Sequence, residues 1–225
     1  MSVTNLHQGV EFVLVRHAES ESNAEIHDGK DKLSTFQDAQ LTDTGRRQAL
    51  ATCKYLANKL PIDNVIGVWT SAQQRAWNTA QPLTGSGFLE LFTTVHSIHE
   101  YRTEDKGVLS VGNGFQLTID YTWDMFVRRV RDFMIICADF AHKQPMNILS
   151  RRPVVLVFGH SLFFSAFLEM VIGRTPQSAT DITFHLPNTS LSSVFYNPCL
   201  DKWSIYQVGA LHHLEEGQRI RHSKV

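Results

Sequence analysis

The sequence is poor in cysteine, and the few cysteines it has do not form a pattern. Cys53, Cys137 and Cys199 are far apart and odd in number, and they lack metal-ligand spacing. This argues against a disulfide framework or a zinc site and favours reduced thiols in a cytosol-like compartment. We therefore predict a cytoplasmic protein whose Cys53 and Cys137 are small core or boundary residues of helices.

An excess of charge is also missing. The formal net charge is −1 and no long basic block occurs, so nucleic acid and anionic membranes are poor candidate partners. The short basic clusters at Arg128-Arg129 and Arg151-Arg152 are predicted to be solvated faces.

Only one long hydrophobic run is present, from Pro153 to Gly173. Gly159-His160-Ser161 interrupts it and Glu169 lies near its end, and such polar groups would be costly in lipid. We read the run as a buried strand, a tight turn and a core-facing helix. The N-terminus has no basic segment followed by an apolar stretch, so no signal peptide is predicted.

What the sequence does contain is an alternation of apolar strands and amphipathic helices. This order predicts a three-layer α/β/α sandwich with a mostly parallel central sheet. Helices begin after capping residues, with Thr42 or Thr44 for the first and Thr70-Ser71 for the second. Strands are predicted over 10–15, 64–69, 89–95, 154–158, 180–186, 190–196 and 203–208, and helices over about 44–59, 72–83, 123–142 and 161–172.

Two segments do not fit this alternation. Residues 97–122 are predicted to be irregular, with Gly107, Gly112 and Gly114, and such segments are often lids or binding loops. A simple surface excursion is the alternative. Residues 215–225 are polar and are predicted to be a loose tail. With 225 residues and 43% hydrophobic content, the chain is predicted to be one domain over 1–225.

Unusual polar residues follow the predicted strands at the point where each strand ends. Arg16 and His17 follow the first strand, Ser71 and Arg75 the second, His99-Glu100 the third, and His160 follows the strand over 154–158. Ligands of open parallel sheets bind beyond the carboxyl ends of the strands. We therefore expect these side chains to meet at one edge of the sheet.

This set of side chains suits phosphoryl transfer. Arginine forks grip phosphate oxygens in a bidentate way, and helix N-termini after Ser71 and Ser161 would add free N–H groups. A neutral imidazole is a good nucleophile towards phosphorus, and a protonated carboxyl group can supply the proton that the leaving alkoxide needs.

Five short motifs make the chain similar to the histidine phosphatase superfamily, which includes cofactor-dependent phosphoglycerate mutases and fructose-2,6-bisphosphatases. The matches span about residues 10–196. They are Arg16-His17-Ala18-Glu19-Ser20 with Asn23, Leu41-Thr42-Asp43-Thr44-Gly45-Arg46-Arg47-Gln48-Ala49, Thr70-Ser71-Ala72-Gln73-Gln74-Arg75-Ala76 with Thr79-Ala80, Gly159-His160-Ser161, and Pro187-Asn188-Thr189-Ser190. Ala18 and Ser161 stand where the family more often has glycine.

The resemblance implies a phosphoglycerate mutase-like fold and a role for each matched residue. His17 would be the phosphorylated nucleophile and Glu100 the proton donor, with Glu104 or Asp105 as alternatives for the acid. The phosphate would be bound by Arg16, Arg75 and His160, and Asn23 would approach it. The family needs no metal for this chemistry, and no cofactor is expected. His96 and His99 could suggest a metal pair, but we read them as surface residues.

Three functions follow from this reading. A phosphatase acting on a small phosphorylated molecule is favoured, because Arg102 and Lys106 after the acid lack the pattern of the mutases. A phosphoglycerate mutase-type phosphotransferase is the second choice. A non-catalytic phospho-ligand binding module is the third, although its hallmark, loss of Arg16, His17 or His160, is absent. The motifs select neither one phosphoester nor an oligomeric state.

Overall fold

A six-stranded mixed sheet organises the fold of the computed structural model, which describes residues 9–27, 38–100, 108–111, 115–118, 122–145 and 152–219. Its strands are β1 (Val10–Arg16), β2 (Val65–Thr70), β3 (Phe92–Thr94), β6 (Val154–Gly159), β7 (Leu191–Asn197) and β8 (Lys202–Ala210), in the order β3-β2-β6-β1-β7-β8. The first four strands of this order are parallel, whereas β7 and β8 are antiparallel to their neighbours. The prediction of a mostly parallel sheet is confirmed.

Helices cover both faces of the sheet and give three layers. They are α1 (Glu21–His27), α2 (Asp43–Lys59), α3 (Gln74–Ala80), α4 (Trp123–His142) and α5 (Ser161–Val171). Phe12 and Leu14 of β1 pack with α4 and α5, while Val13 and Val15 pack with the layer of α2 and α3. All six residues of β6 are buried, because helices cover both sides of this central strand.

The clearest helical pattern of the sequence is confirmed at both ends. Helix α4 spans Trp123–His142, and the hydroxyl of Thr122 accepts a hydrogen bond from the Met125 N–H at 3.2 Å to start it. Its buried stripe includes Phe126, Val130 and Phe133. In α2, Thr42 rather than Thr44 is the cap, since its hydroxyl accepts from the Gly45 N–H at 3.0 Å.

The apolar run over 153–173 forms a strand and a helix, as predicted. Strand β6 leads through His160 into α5, which ends where Gly173 adopts a positive φ of 82° and donates its N–H to the Met170 carbonyl. In the part of the chain that the structure describes, no helix combines the length and apolarity that crossing a membrane requires.

The predicted strand over 180–186 is wrong. Its backbone carbonyls accept side-chain donors instead of joining a ladder: Ser165 donates to Phe184, while Ser161 and Arg16 donate to Leu186. The Thr183 N–H is bound by the carboxylate of Glu169. Side chains of helix α5 and of the end of β1 thus supply hydrogen-bond partners for the backbone of this segment.

Two further boundaries differ from the prediction. The second helix begins at Gln74, not at Ala72, and gives way after Ala80 to a 3₁₀ turn over Gln81–Ser86. The third strand is shortened to Phe92–Thr94 by a 3₁₀ turn over Leu89–Leu91.

The two segments outside the alternation are partly described. Within 97–122, β4 (Val108–Val111) and β5 (Phe115–Thr118) pair as an antiparallel hairpin, so this part is regular rather than irregular. Residues 101–107 lie outside the described part, and with them Glu104 and Asp105. The tail contains a 3₁₀ turn over Glu216–Gln218, and residues 220–225 lie outside.

The cysteines behave as the sequence suggested. Cys53 in α2 and Cys137 in α4 are buried free thiols, and Cys199 is exposed in the turn between β7 and β8. Arg152 is less solvated than predicted, because its guanidinium stacks 4.5 Å from the centre of the Phe195 ring.

Candidate active site

The carboxyl ends of three adjacent strands bring the predicted residues together. Strands β2, β6 and β1 are neighbours, and their ladders continue past the strand ends. The His17 N–H donates to the Gly159 carbonyl at 2.8 Å, and the Ser71 N–H donates to the Phe158 carbonyl at 2.9 Å. As a result, the rings of His17 and His160 lie with their centres 5.2 Å apart.

His17 is a buried, neutral imidazole with a defined tautomer. Its side chain is 3% exposed, and Nδ1 lies 2.8 Å from the carbonyl oxygen of Ala18. A carbonyl can only accept, so Nδ1 carries the proton and Nε2 keeps its lone pair. Burial lowers the pKa of His17 well below its usual value, and the charges of Arg75 and Arg16 lower it further.

Two guanidinium groups supply positive charge beside this ring. Arg16 donates from Nη1 to the Leu186 carbonyl at 2.6 Å, and burial lowers its pKa to about 10 although Glu100 counteracts this. Arg75 is 7% exposed and donates from Nη2 to Oε1 of Gln73 at 3.2 Å. Two cations held this close are stabilised by an anion between them, and a phosphate dianion is such an anion.

His160 adds a fourth group from the end of β6. It is fully buried, and Nε2 lies 2.9 Å from the hydroxyl oxygen of Ser71. Nδ1 is buried and has no hydrogen-bond partner within the described residues. Burial, Arg75 and His17 lower the pKa of His160, so the ring is neutral. If Ser71 donates to Nε2, Nδ1 carries the remaining proton and can donate it to a ligand.

Asn23 and Asn188 support the loop that carries His17. Oδ1 of Asn23 accepts from the N–H and the hydroxyl of Ser20 and from Nδ2 of Asn188 at 3.0 Å. The same Nδ2 donates to the His17 carbonyl at 2.9 Å. Thr189, at a φ of 56°, donates its N–H to the carbonyls of Arg16 and His17. Asn23 therefore braces the loop, and its predicted approach to the phosphate stays a prediction.

Glu100 lies close enough to interact electrostatically with Arg16. Its backbone N–H donates to Oε1 of Gln73 at 3.2 Å, and its side chain is half-buried. The structure thus brings Glu100 to the same sheet edge as His17, Arg16, Arg75 and His160. The alternatives Glu104 and Asp105 lie outside the described residues.

The matched motif over residues 41–49 consists of side chains that contact Glu19, two residues after His17. Gln48 accepts the Glu19 N–H at 2.9 Å, and the hydroxyl of Thr42 donates to the Glu19 carboxylate at 2.5 Å. A Cβ atom at Gly45 would lie 1.9 Å from the Glu19 carbonyl oxygen, so only glycine permits this approach. The motif therefore supports the loop over 17–20, which carries His17, from the side of α2.

Three positions at this edge of the sheet make contacts that were not expected from the sequence. Ser71 was predicted to cap a helix, but its hydroxyl contacts His160. Gln73 contacts both Arg75 and Glu100. Thr79 accepts the Ala18 N–H at 2.9 Å and donates to the Arg75 carbonyl at 2.6 Å. All three lie within the segment matched as the second arginine motif, which is the signal that could have found them.

His99 and Arg129 correct two surface predictions. His99 is 8% exposed and not a surface residue, with Nδ1 2.7 Å from the His96 carbonyl. Arg129 is partly buried, and Nη1 donates at 2.7 Å to the carbonyls of Ser97 and His99. Its guanidinium also lies 5.4 Å from the centre of the Phe163 ring. A charge from α4 therefore fixes the backbone just before Glu100.

Comparison with known proteins agrees with this geometry. Residues 12–101 match the model of the histidine phosphatase superfamily, branch 1. Across this part of the chain the sequence is similar to that superfamily. The matched region contains Arg16, His17, Arg75 and Glu100. No curated protein matches the sequence.

Solved structures show the same fold at low identity. A mycobacterial glucosyl-3-phosphoglycerate phosphatase superimposes with a TM-score of 0.65 at 18% identity, over 90% of this chain and 100% of that one. The alpha-ribazole phosphatase of Shigella flexneri gives 0.64 at 17%, over 95% and 100%. The phosphoglycerate mutase of Bacillus anthracis gives 0.62 at 15%, over 94% and 97%. The phosphoglycerate mutase-like fold expected from the motifs is confirmed.

Proposed function

We propose that this chain is a member of the histidine phosphatase superfamily and hydrolyses phosphomonoesters through a phosphohistidine intermediate on His17. The observation that carries the proposal is the state of the His17 ring. It is neutral, its proton is held on Nδ1 by the Ala18 carbonyl, and the Nε2 lone pair lies in a site with Arg16, Arg75 and His160. That is the arrangement an attacking imidazole requires.

In the first step, Nε2 of His17 attacks phosphorus and the bond from phosphorus to the ester oxygen breaks. The leaving oxygen takes a proton from the carboxyl group of Glu100. Arg16 and Arg75 bind the phosphoryl oxygens, whose charge they balance throughout, and Nδ1 of His160 donates to one of them. The imidazole ring of His17, now phosphorylated, keeps its Nδ1–H on Ala18.

In the second step, the Glu100 carboxylate takes a proton from a water molecule that attacks the phosphohistidine. The nitrogen–phosphorus bond breaks, inorganic phosphate forms, and His17 and Glu100 return to their initial states. The hairpin β4–β5 follows Glu100 in the chain, and we include it in the proposed lid over about 97–122 that would select the leaving group, within a single domain.

The test is hydrolysis of p-nitrophenyl phosphate by wild type and His17→Ala. We expect the variant to lose activity by about four orders of magnitude, as loss of a nucleophile does. His212→Ala is the matched control, because His212 is exposed and contacts Tyr55 instead of the site. Rapid quenching of wild type with labelled substrate should trap label that acid releases and alkali does not, as expected for phosphohistidine.

The outcomes separate the alternatives. Residual hydrolysis by His17→Ala near the wild-type rate would contradict the nucleophile assignment. Rapid interconversion of 2- and 3-phosphoglycerate would favour a mutase. Binding of phosphorylated ligands without turnover of any of them would favour a binding module.

A further inference from the structure

Gln73 occupies an unusual position between strand β2 and helix α3. It is 1% exposed and stands at the N-cap of α3, where Ser, Thr, Asp or Asn normally bind the first helical N–H groups. Gln73 makes no such side-chain bond. Asp38, from elsewhere in the chain, caps the helix instead, since its carboxylate accepts the Gln74 N–H at 2.8 Å. The amide of Gln73 is therefore directed elsewhere.

The Gln73 amide oxygen joins two site residues. Oε1 accepts from Nη2 of Arg75 at 3.2 Å and from the N–H of Glu100 at 3.2 Å. An amide oxygen has two lone pairs, so these two donors use its full capacity. In addition, the Gln73 N–H donates to the Ser71 hydroxyl at 3.3 Å, and that hydroxyl contacts His160.

We propose that Gln73 is a positioning residue that ties the acid, Glu100, to the phosphate-binding guanidinium of Arg75. The inference rests on the proposed function, in which these two groups act on opposite ends of the bond that breaks. One oxygen atom fixes the distance between the group that binds phosphate and the backbone that carries the acid. A small misplacement of an acid reduces its ability to protonate a leaving group in the transition state.

The neutral amide also matters for charge. A carboxylate at the same place would pair with Arg75 and reduce the positive charge available to a phosphate dianion. A hydrocarbon side chain would leave the Glu100 N–H and one Arg75 N–H without this acceptor. Glutamine is thus suited to hold both donors without competing with the substrate for charge.

The test compares two esters that differ in how much they need the acid. The p-nitrophenolate leaving group departs with little protonation, whereas the more basic phenolate of phenyl phosphate depends on it. For Gln73→Leu we expect kcat/KM to fall about 30-fold on phenyl phosphate but only about 3-fold on p-nitrophenyl phosphate, a fraction of a general acid's full contribution. The parameter kcat/KM is used because it reports the first chemical step.

Gln74→Leu is the matched control. It makes the same change one residue later, where the side chain contacts Gln40 and bonds none of the proposed site residues in the described part of the chain. We expect it to stay within about 2-fold of wild type on both esters. An equal loss on both esters in Gln73→Leu would overturn the proposal, because a merely structural role does not depend on the leaving group.

Gln73→Glu keeps the size and polarity of the side chain and tests the Arg75 contact separately. Competitive inhibition by inorganic phosphate is expected to weaken about 10-fold in this variant. Unchanged inhibition would overturn the link to Arg75. If wild type hydrolyses neither ester, the phosphatase proposal itself fails, and phosphate binding by Gln73→Glu still decides whether Gln73 acts on Arg75.

Discussion

Two regions of this protein are equally buried but are built from opposite chemistry. Between the sheet and helices α4 and α5, aromatic rings pack against one another. At the carboxyl edge of the sheet, His17, Arg75 and His160 are as inaccessible as those rings. The ring pairs of the first region include Phe12–Trp69, Trp69–Phe133, Phe133–Phe163, Phe133–Phe167 and Phe167–Trp203, with centres 5.4–6.2 Å apart.

The energetic sign of burial differs between the two regions. Each buried aromatic side chain stabilises the fold by a few kcal/mol, and ring pairs add about 0.5–1.5 kcal/mol. Burial of a cation or a protonated imidazole is unfavourable, which is why it lowers the pKa of His17, His160 and Arg16. The aromatic region therefore supplies stability, and the carboxyl edge of the sheet consumes part of it.

Arg75→Met is expected to give the largest effect and to separate function from stability. Loss of one charged donor to the phosphoryl group should lower kcat/KM by about 10³-fold, close to 4 kcal/mol. Removal of a buried cation whose charge lowers the pKa of Arg16, His17 and His160 should at the same time raise the free energy of unfolding by about 1 kcal/mol. Steady-state kinetics and denaturant titration measure the two quantities.

Arg47→Met is the control for this prediction, because Arg47 is exposed and bonds only the neighbouring Thr44 among the contacts given by the structure. Arg47→Met should change neither kcat/KM nor the free energy of unfolding measurably. A fall in both kcat/KM and the free energy of unfolding in Arg75→Met would contradict the idea that the carboxyl edge of the sheet consumes stability.

Phe133→Ala should break the aromatic region. Phe133 is fully buried against Trp69, Phe163 and Phe167, so its truncation leaves a cavity and should cost about 3 kcal/mol of unfolding free energy. The kcat/KM per folded molecule should stay near the wild-type value below the melting transition. Ile135→Ala, on the same helix but 53% exposed, should cost less than about 0.5 kcal/mol.

Gly45→Ala tests the contact between α2 and the loop over 17–20, which carries His17. The added methyl group would lie 1.9 Å from the Glu19 carbonyl oxygen, so the loop must move. We expect a loss of about 2 kcal/mol in stability, as for overpacking, together with reduced kcat/KM. Gly85→Ala is the matched change, since a Cβ there meets no atom within 4 Å and should be tolerated. Equal behaviour of the two variants would contradict a supporting role for this contact.

The pH dependence of stability gives the smallest effect. The pKa values of His17 and His160 are lowered by folding, so the unfolded chain binds their protons at a higher pH than the folded protein does. Their contribution is fully present above the unfolded pKa near 6.5 and is lost as the pH falls below it, by up to about 1.4 kcal/mol per pH unit for each histidine.

Denaturant titrations between pH 7 and 5 measure this slope. His160→Gln should make it shallower by up to the contribution of one histidine. His212→Gln, at an exposed position, should leave it unchanged. An unaltered slope in His160→Gln would mean that His160 is not held neutral by the fold.

The sequence reveals those parts of the molecule that depend on local pattern. Helix α4 was predicted over about 123–142 because its apolar side chains repeat at helical spacing, and it spans Trp123–His142. The ends of β1 and β6 were predicted to within one residue because both strands are short apolar runs, and these ends place His17 and His160. The motif residues then identified the candidate site.

What could not be predicted depends on partners distant in the chain. The segment over 180–186 alternates like a strand, yet side chains of α5 and Arg16 bind its carbonyls, and none of the strands in the described part of the chain pairs with it. Ser71 was expected at the same sheet edge as His160 but as a helix cap, because nothing in its local sequence shows that its hydroxyl contacts the His160 ring. Gln73 acts through Glu100, 27 residues away, and local periodicity has no information on such contacts.

The position of β1 in the sheet has a consequence for biosynthesis. This strand leaves the ribosome before the other five strands of its sheet, yet its neighbours are β6 and β7, which begin at Val154 and Leu191. The His17 carbonyl also cannot accept its hydrogen bond from Asn188 until that residue, 171 positions later, has been made. The nascent chain therefore has to keep an apolar central strand unpaired until almost all of the sheet has been translated. By the same reasoning, His17, the proposed nucleophile, is synthesised long before Asn188 and is set in place only after it.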